Sequence, residues 1–452
     1  MARFRIRRIW RCSTATIVVV VATATSGPVS AALLGVAVSG CPGARAERSA
    51  LRAAGLPERA PGSWGARLSG DGRYVAFVSY EDDPASGDTN QRADVFRMDR
   101  STGEILRVSR DVHGMEFDRH AAEGSISGDG ASVAFTARSM VYVRDVAAGR
   151  TVHASVNNAG AAADDWSGAP VVGSAGRFVA FTSRARNLVP WDRDGPSIEA
   201  YLRDLEAGTT ERISIGTGGL AAPTWSWAGA VSGDGRYVAF TAGAAGGALT
   251  PADSYPGSDV FVRDRRSKAT EVISVGPDDR SMGGWFLGMT ADGMKVLFGS
   301  GPQPDAKPAI FLRDRAAGTT QFIAPLVTTW RRSSGAHAAP LAAVGQRHGP
   351  PASLSADGRR VAIQTALLSG SEDTNAADDI VVVDLATGAR RVATRSSSGC
   401  PGNGPSGEPT LSHDGSVVAF TSEADDLAGS DNQRRTNVYV RDMSVHRTER
   451  MD

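Results

Sequence analysis

The sequence predicts an all-β fold, a seven-bladed β-propeller of four-stranded antiparallel blades, and three observations predict it. The segment Leu68-Ser-Gly-Asp-Gly-Arg-Tyr-Val-Ala-Phe77 recurs as Ile126–Phe135, Val172–Phe181, Val231–Phe240, Met289–Phe298, Leu354–Ile363 and Leu411–Phe420. Each copy is followed by a short apolar run that closes on aspartate, at Asp99, Asp145, Asp204, Asp264, Asp314, Asp384 and Asp442. No long helical period interrupts the pattern, and self-similarity at a spacing of 46 to 65 residues marks a repeat architecture.

The elements follow in order within each unit. Asp-Gly between two apolar runs is a hairpin signal, because the turn needs a residue at positive φ. It joins a first strand ending near Leu68 to a second at Tyr74–Val78. A variable loop leads to a third strand, as at Val95–Met98, Tyr142–Arg144, Val260–Arg263 and Val438–Arg441. Glycine four residues after the closing aspartate (Gly103, Gly149, Gly208, Gly318, Gly388) marks a second short turn, and a fourth strand follows, such as Ile105–Ser109 or Thr210–Ile215. The runs Val-Ala-Phe and Val-Phe-Val do not alternate with polar residues, so both sheet faces are expected to be covered. Four-stranded units, each sandwiched by its neighbours around an axis, make a propeller. Two departures stand out. Gly173-Ser174-Ala175-Gly176 replaces Ser-x-Asp-Gly, so a different turn is expected in the third unit. The last blade draws all its strands from 409–451, so blades 1 and 7 are expected to meet by side-chain packing alone, helped by residues 47–60.

The hairpin Ser-x-Asp-Gly-x-x-Val-Ala-Phe, followed by Asp-Val-Phe-Val-Arg-Asp as at Asp259–Asp264, resembles the repeats of TolB-like bacterial β-propellers over residues 63–452. The resemblance implies the fold and says little of function. Such propellers serve as periplasmic protein-binding factors, as sensor domains and as non-catalytic halves of peptidases.

Residues 1–46 read as an export signal, 47–62 as a linker and 63–452 as the propeller. Arg3, Arg5, Arg7, Arg8 and Arg11 precede an apolar, small-residue run from Ala15 to Val38. Three readings fit its end. Val38-Ser39-Gly40-Cys41 resembles a lipoprotein lipobox; Val29-Ser30-Ala31 or Ala44-Arg45-Ala46 suits ordinary cleavage; the run is also long enough to stay as an anchor. All three place the body outside the cytoplasm, as a cell-surface lipoprotein or a secreted protein. Without residues 1–40 the 49 basic residues fall to 44 against 49 acidic ones, a net charge of −5 that argues against nucleic acid as a partner. Cys41 and Cys400 each lie in Ser-Gly-Cys-Pro-Gly. A disulfide between them and lipidation of Cys41 exclude each other.

A repeat carries its own control, since residues shared by every unit are architectural and unevenly placed ones are candidates for function. The strand-ending and hairpin aspartates recur, so they are expected to accept hydrogen bonds from turn N–H groups. No Gly-x-Ser-x-Gly, His-Glu-x-x-His, Cys-x-x-Cys or phosphate-binding glycine loop occurs. No catalytic residue is therefore assigned, and with the repeat running to the end of the sequence no appended hydrolase domain is expected. A metal-like pattern, Asp88-Thr-Asn90-x3-Asp94, recurs as Asp373-Thr-Asn375-x3-Asp379, with weaker versions at Asp253…Asp259 and Asp431…Asn437. Such oxygens suit calcium, the one cofactor the sequence suggests. They equally suit Asx-turns, and no glycine-marked twelve-residue loop accompanies them.

The most uneven feature precedes the first strands. Trp64, Trp227 and Trp285 stand seven residues before the hairpin aspartate, and Trp166 and Trp225 nine before that position, where other units have His120 and His348. These connectors are expected to rim one mouth of the channel. A longer connector, Val327–His348, adds Arg331 and Arg332 without any acid. Packing at blade edges is one reading of the tryptophans, and an aromatic-lined binding rim is the other. Together these features describe an exported monomer that binds a protein, peptide or cell-envelope glycan and touches membrane only through its N-terminus. The alternative is a propeller hydrolase or lyase acting on polysaccharide in the channel.

Overall fold

The repeated Ser-x-Asp-Gly segment closes the same backbone turn in every unit. In the first, Gly72 N–H bonds Ser69 C=O at 3.0 Å and Ser69 N–H bonds Tyr74 C=O at 2.9 Å. Positive φ falls on Gly72 (72°) and not on Asp71, so this is a four-residue loop, Gly70 to Arg73, with the left-handed glycine in third place. Ser69 Oγ donates to Asp71 at 2.6 Å and accepts from Tyr74 N–H at 2.9 Å, which explains the hydroxyl residue two places before each hairpin aspartate, serine in most units and Thr290 in the fifth. The third unit lacks both side chains and keeps the turn, with Gly176 N–H on Gly173 C=O at 2.9 Å and φ of 75° at Gly176. The different turn expected there does not occur, because the backbone pattern needs only the glycine.

The computed structural model describes residues 62–80, 89–190, 198–243, 247, 249–301, 308–327, 350–368, 373, 375–428 and 435–451, with two short strands at Trp10–Cys12 and Ala15–Ile17. The chain divides into two compact units, Met1–Leu56 and Pro57–Asp452. In the first, the two short strands pair antiparallel; the export signal and linker otherwise lie outside the described residues.

The second unit is a seven-bladed β-propeller, seven sheets of four antiparallel strands in sequential order. Blade 1 consists of Ser63–Leu68, Tyr74–Ser79, Asp94–Asp99 and Glu104–Arg107. The first strands of the other blades are Ala121–Ile126, Ser167–Val172, Ser226–Val231, Trp285–Met289, Ala352–Leu354 and Ser406–Leu411. Fourth strands end sooner than the apolar run suggests. In blade 1, Val108 and Ser109 N–H both turn onto Val95 C=O, and Ser109 Oγ drops onto Asp94 at 2.6 Å.

The core is a set of layers, one at each of the seven blade junctions, including that between blades 7 and 1. Within blades, the repeated phenylalanine of the second strand stacks on a ring of the third. Examples are Phe77 on Phe96, Phe181 on Tyr201 and Phe240 on Phe261, with centroids 5.5–5.8 Å apart. Turn tips are laced together around the axis. Gly70 N–H bonds Gly128 C=O, Gly128 N–H bonds Ser174 C=O, Gly233 N–H bonds Ala291 C=O, and Ala291 N–H bonds Ala356 C=O.

Ring closure uses the same lacing. His413 N–H bonds Gly70 C=O at 2.7 Å and Ser63 N–H bonds Thr436 C=O at 2.8 Å. Arg100 meets Glu449 at 3.0 Å, as Arg265 meets Glu211 and Arg315 meets Glu271 at internal junctions. Packing alone therefore does not describe the seam; backbone bonds and an ion pair cross it as well.

All seven strand-ending aspartates accept turn N–H groups, from Ser101 onto Asp99 (2.9 Å) to Ser444 onto Asp442 (2.9 Å). In three blades they also bind the residue after the hairpin glycine: Arg73–Asp99, Arg177–Asp204 and Arg236–Asp264, at 2.6–2.7 Å. The arginine bond is the chief cause that holds the Asp99 and Asp264 carboxyls well below the usual range. A carboxyl so depressed contributes stability above its unfolded pKa of about 4, and that contribution is lost as pH falls further. The urea midpoint is accordingly expected to decline below about pH 4, and Arg73→Gln to shallow that decline modestly, since the guanidinium is half-exposed. An unchanged acid limb in the variant would refute the assignment.

Candidate functional site

Each first strand runs from its connector to the hairpin turn, about 20 Å for six residues, so the tryptophans lie at the opposite end of the inner strands from the laced turns. All five are half-buried. Trp166 and Trp227 come from adjacent blades and meet edge to face, centroids 5.9 Å apart at 64°. The exposed Arg184 guanidinium stands 5.9 Å over the Trp166 ring. Trp64 leans on Tyr80 at 5.2 Å, and Tyr80 stands edge-on to His120 at 5.4 Å, which makes a second group across blades 1 and 2. Trp225 and Trp285 cover glycines instead. A Cβ on Gly243 would fall 2.5 Å from the Trp225 ring, and one on Gly299 would collide with Trp285. Trp64 and Trp285 also lean against the apolar layers of their blade junctions. His348, Arg331 and Arg332 lie outside the described residues.

His120 is engaged by the fold. Its Nδ1 accepts from Ala93 N–H at 3.0 Å, and burial, with Arg92 nearby, pushes its pKa below the usual value. Sequence reasoning missed Tyr80, Arg184 and Glu123. Glu123 stands in the left-handed region (φ 57°), in a bulge of the first strand of blade 2, where its carboxylate accepts from Ala169 N–H of blade 3 at 2.8 Å and from Thr136 at 2.7 Å. It neighbours the tryptophan pair, since a Cβ on Gly168 would lie 2.5 Å from Trp166 and 3.0 Å from the Glu123 carboxylate. Glu408 repeats the arrangement, accepting from Gly65 N–H and Thr421. Where alanine takes the position, in blades 3 and 4, Thr182 and Thr241 bond the next blade's N–H directly. The two glutamates are thus junction clasps, and nothing in a single unit marks them.

The Asp-x-Asn loops tie loop to connector. Asn90 Nδ2 donates to Phe117 C=O at 2.7 Å and Asn375 Nδ2 to Gly402 C=O at 2.6 Å. Asp373 accepts from Asn375 and Ala376 N–H in an Asx-turn. Asp94 has the Arg107 guanidinium 3.8 Å away, and Asp379 accepts from Thr394 at 2.5 Å; Asp88 lies outside the described residues. Among the described residues no cluster of three or more His, Cys, Asp or Glu is placed to hold a metal.

Connectors form small hairpins of their own, bridged at Arg110–Glu116, Val156–Ala162, Ile215–Ala221, Val275–Ser281 and Arg395–Pro401. They are more than rim loops, because they dock on the next blade. Arg203 and Arg441 of third strands cap connector carbonyls and also bond Thr210 and Thr448 of the adjoining fourth strands. Cys400, in the last of these hairpins, is disulfide-bonded; Cys41 lies outside the described residues. A cavity of about 410 Å³ opens between blades 2 and 3, among Arg150, Arg177, Arg203 and His153, with Asp145 and Glu206.

No family model matches the sequence, and no curated protein sequence matches it. Solved structures are similar at low identity. An oligogalacturonate lyase from Vibrio parahaemolyticus matches at 11% identity over 84% of this chain and 89% of that one, TM-score 0.51. The β-propeller domain of the Trilobed protease from Pyrococcus furiosus, described as having an open velcro topology, matches at 11% over 86% and 97%, TM-score 0.51. TolB from Acinetobacter baumannii matches at 14% over 76% and 81%, TM-score 0.40. At such identities the likeness concerns the fold alone.

Proposed function

We propose that this propeller is an extracytoplasmic binding module whose contact surface is the tryptophan-bearing end of blades 3 and 4. The Trp166–Trp227 pair carries the reading. Two indoles from separate blades stay half-exposed and meet edge to face, with the Arg184 cation over the Trp166 ring. Flat apolar faces with N–H groups suit a sugar ring or an apolar side chain of a protein or peptide. Export rests on the Arg-rich, apolar leader.

Cleavage of a polysaccharide would need an acid and a base converging on the ligand. Two acids stand beside these rings: Glu123 accepts from Ala169 N–H and Thr136, and Asp165 accepts from Trp166 N–H. The test is a glycan array beside a pull-down from cell-envelope fractions, with wild type, Trp166→Ala and Trp227→Ala. Each variant is expected to keep its melting temperature and lose about 2 kcal/mol or more of affinity, about 30-fold. Retained binding with a lowered melting temperature would make the indoles packing residues. Release of shortened glycan would move the assignment to catalysis.

A further inference from the structure

At each blade junction the hairpin glycine of one blade rests on the side chain that opens the second strand of the blade before it. Gly130 rests on Tyr74, Gly235 on Phe178 and Gly293 on Tyr237, each closer than a Cβ would allow. Guanidinium groups cover these three rings. Arg73 and Arg97 stand 4.9 and 4.3 Å over Tyr74, Arg177 and Arg265 4.9 and 5.0 Å over Phe178, and Arg236 and Arg315 4.6 and 4.5 Å over Tyr237.

Blade 2 breaks the pattern. Its residue in this place is Ser132, the smallest of the seven, whose Oγ lies 2.8 Å from where a Cβ on Gly176 would stand. The neighbours that carry guanidinium elsewhere are apolar here, Ala131 in the place of Arg73 and Leu205 in the place of Arg265. Interiors are ordinarily close-packed, yet here the space stays open, as the cavity of about 410 Å³ that Ser132 and Leu205 line.

Val143 and Val152 of blade 2 join Leu205 of blade 3 as its apolar walls, all three belonging to the layer at that junction. Arg177 is held by Asp204 and Glu206, both at 2.6 Å. Two lining cations, Arg150 and Arg203, have no ion pair among the described residues, against one remaining acid, Asp145. Arg203 bonds only neutral oxygens, of Asn157 and Thr210 at 3.5 and 3.1 Å, and Arg150 is exposed. His153 stacks on Tyr142 at 5.0 Å, and burial pushes its pKa below the usual value, so it adds a neutral ring to the wall.

We propose that this cavity binds a small aromatic carboxylate, its ring taking the place that Tyr74, Phe178 and Tyr237 fill at other junctions and its carboxylate facing Arg150 and Arg203. The volume falls within the range of small-molecule sites, about 300–1,000 Å³. Guanidinium suits a carboxylate through paired N–H bonds, and the valine and leucine walls suit a ring face. The site lies among the hairpin turns, at the other end of the strands from the tryptophans, and does not depend on what that surface binds.

The experiment titrates the full chain with benzoate by calorimetry, beside benzyl alcohol, which keeps the ring without the charge, and acetate, which keeps the charge without the ring. Wild type is expected to bind benzoate with a Kd of about 1 mM or tighter, and both comparison compounds about tenfold or more weakly. Ser132→Tyr, which copies blades 1 and 4, is expected to lose benzoate binding and to melt no lower than wild type. Arg150→Gln is expected to weaken benzoate about tenfold and leave the melting temperature unchanged. Should Ser132→Tyr fail to fold, Arg150→Gln decides alone. No saturable benzoate binding, acetate bound as tightly as benzoate, or benzoate affinity unchanged in the variants overturns the proposal.

Discussion

Gly235→Ala is expected to cost the fold about 2–5 kcal/mol. Two penalties combine. The residue has φ of 71°, where a side chain costs about 1–2 kcal/mol, and a Cβ there would fall within the Phe178 ring of the preceding blade, an overpacking cost of about 1–3 kcal/mol. Gly130 receives Tyr74 and Gly293 receives Tyr237 in the same way. Gly103 provides the control. Its φ is 78° and nothing stands within 4 Å of the place a Cβ would take, so Gly103→Ala should cost only the backbone penalty. Equal losses for the two in urea denaturation would show that the close approach does not matter.

Glu408→Ala is expected to cost about 3 kcal/mol and to loosen the ring where the chain does not cross it. Glu408 is buried and clasps Gly65 N–H of blade 1 at 3.2 Å and Thr421 at 3.0 Å, while its charge faces half-buried Arg67. Removing it strands a buried donor and a cation together. Glu123→Ala makes the same cut between blades 2 and 3, which a connector still joins. Deuterium uptake in Ser63–Leu68 and Ser406–Leu411 should rise in Glu408→Ala, and the corresponding segments should rise less in Glu123→Ala. Similar increases in both would mean that the seam is no weaker than an internal junction.

Most of the fold was legible because the features that make a blade lie within about sixty residues and recur. The Asp-Gly hairpin, the stacking phenylalanine and the strand-ending aspartate announce themselves by repetition, and their bonds follow from local chemistry. Junctions were less legible. The bonds between Gly70 and His413 use backbone groups, which any residue supplies. The bulges at Glu123, Ala169 and Glu408 place non-glycine residues at positive φ, so composition gave no warning. The candidate site shows the same divide. Uneven tryptophans were visible, but Tyr80 and Arg184 join them only through blade geometry. One signal was available and unread: Arg144, Arg203, Arg263, Arg313 and Arg441 each precede by seven residues the threonine they bond.

The connector hairpins also bear on how these molecules behave in a crowd. The fourth strand of every blade is a sheet edge, and an unguarded edge invites pairing with another chain. Blades 3 and 7 are partly covered, because Thr210 and Thr448 bond the docked connectors. The edges are also short and charged, as in Glu104–Arg107, Arg150–His153 and Arg447–Arg450. Blade 5 is the exception. Its outer strand, Thr319–Pro325, is the longest of the set and carries no charge, and Phe322 stands 55% exposed upon it. If concentrated protein self-associates through strand addition, this edge is where it begins, and among the described residues its guard is the proline that ends it.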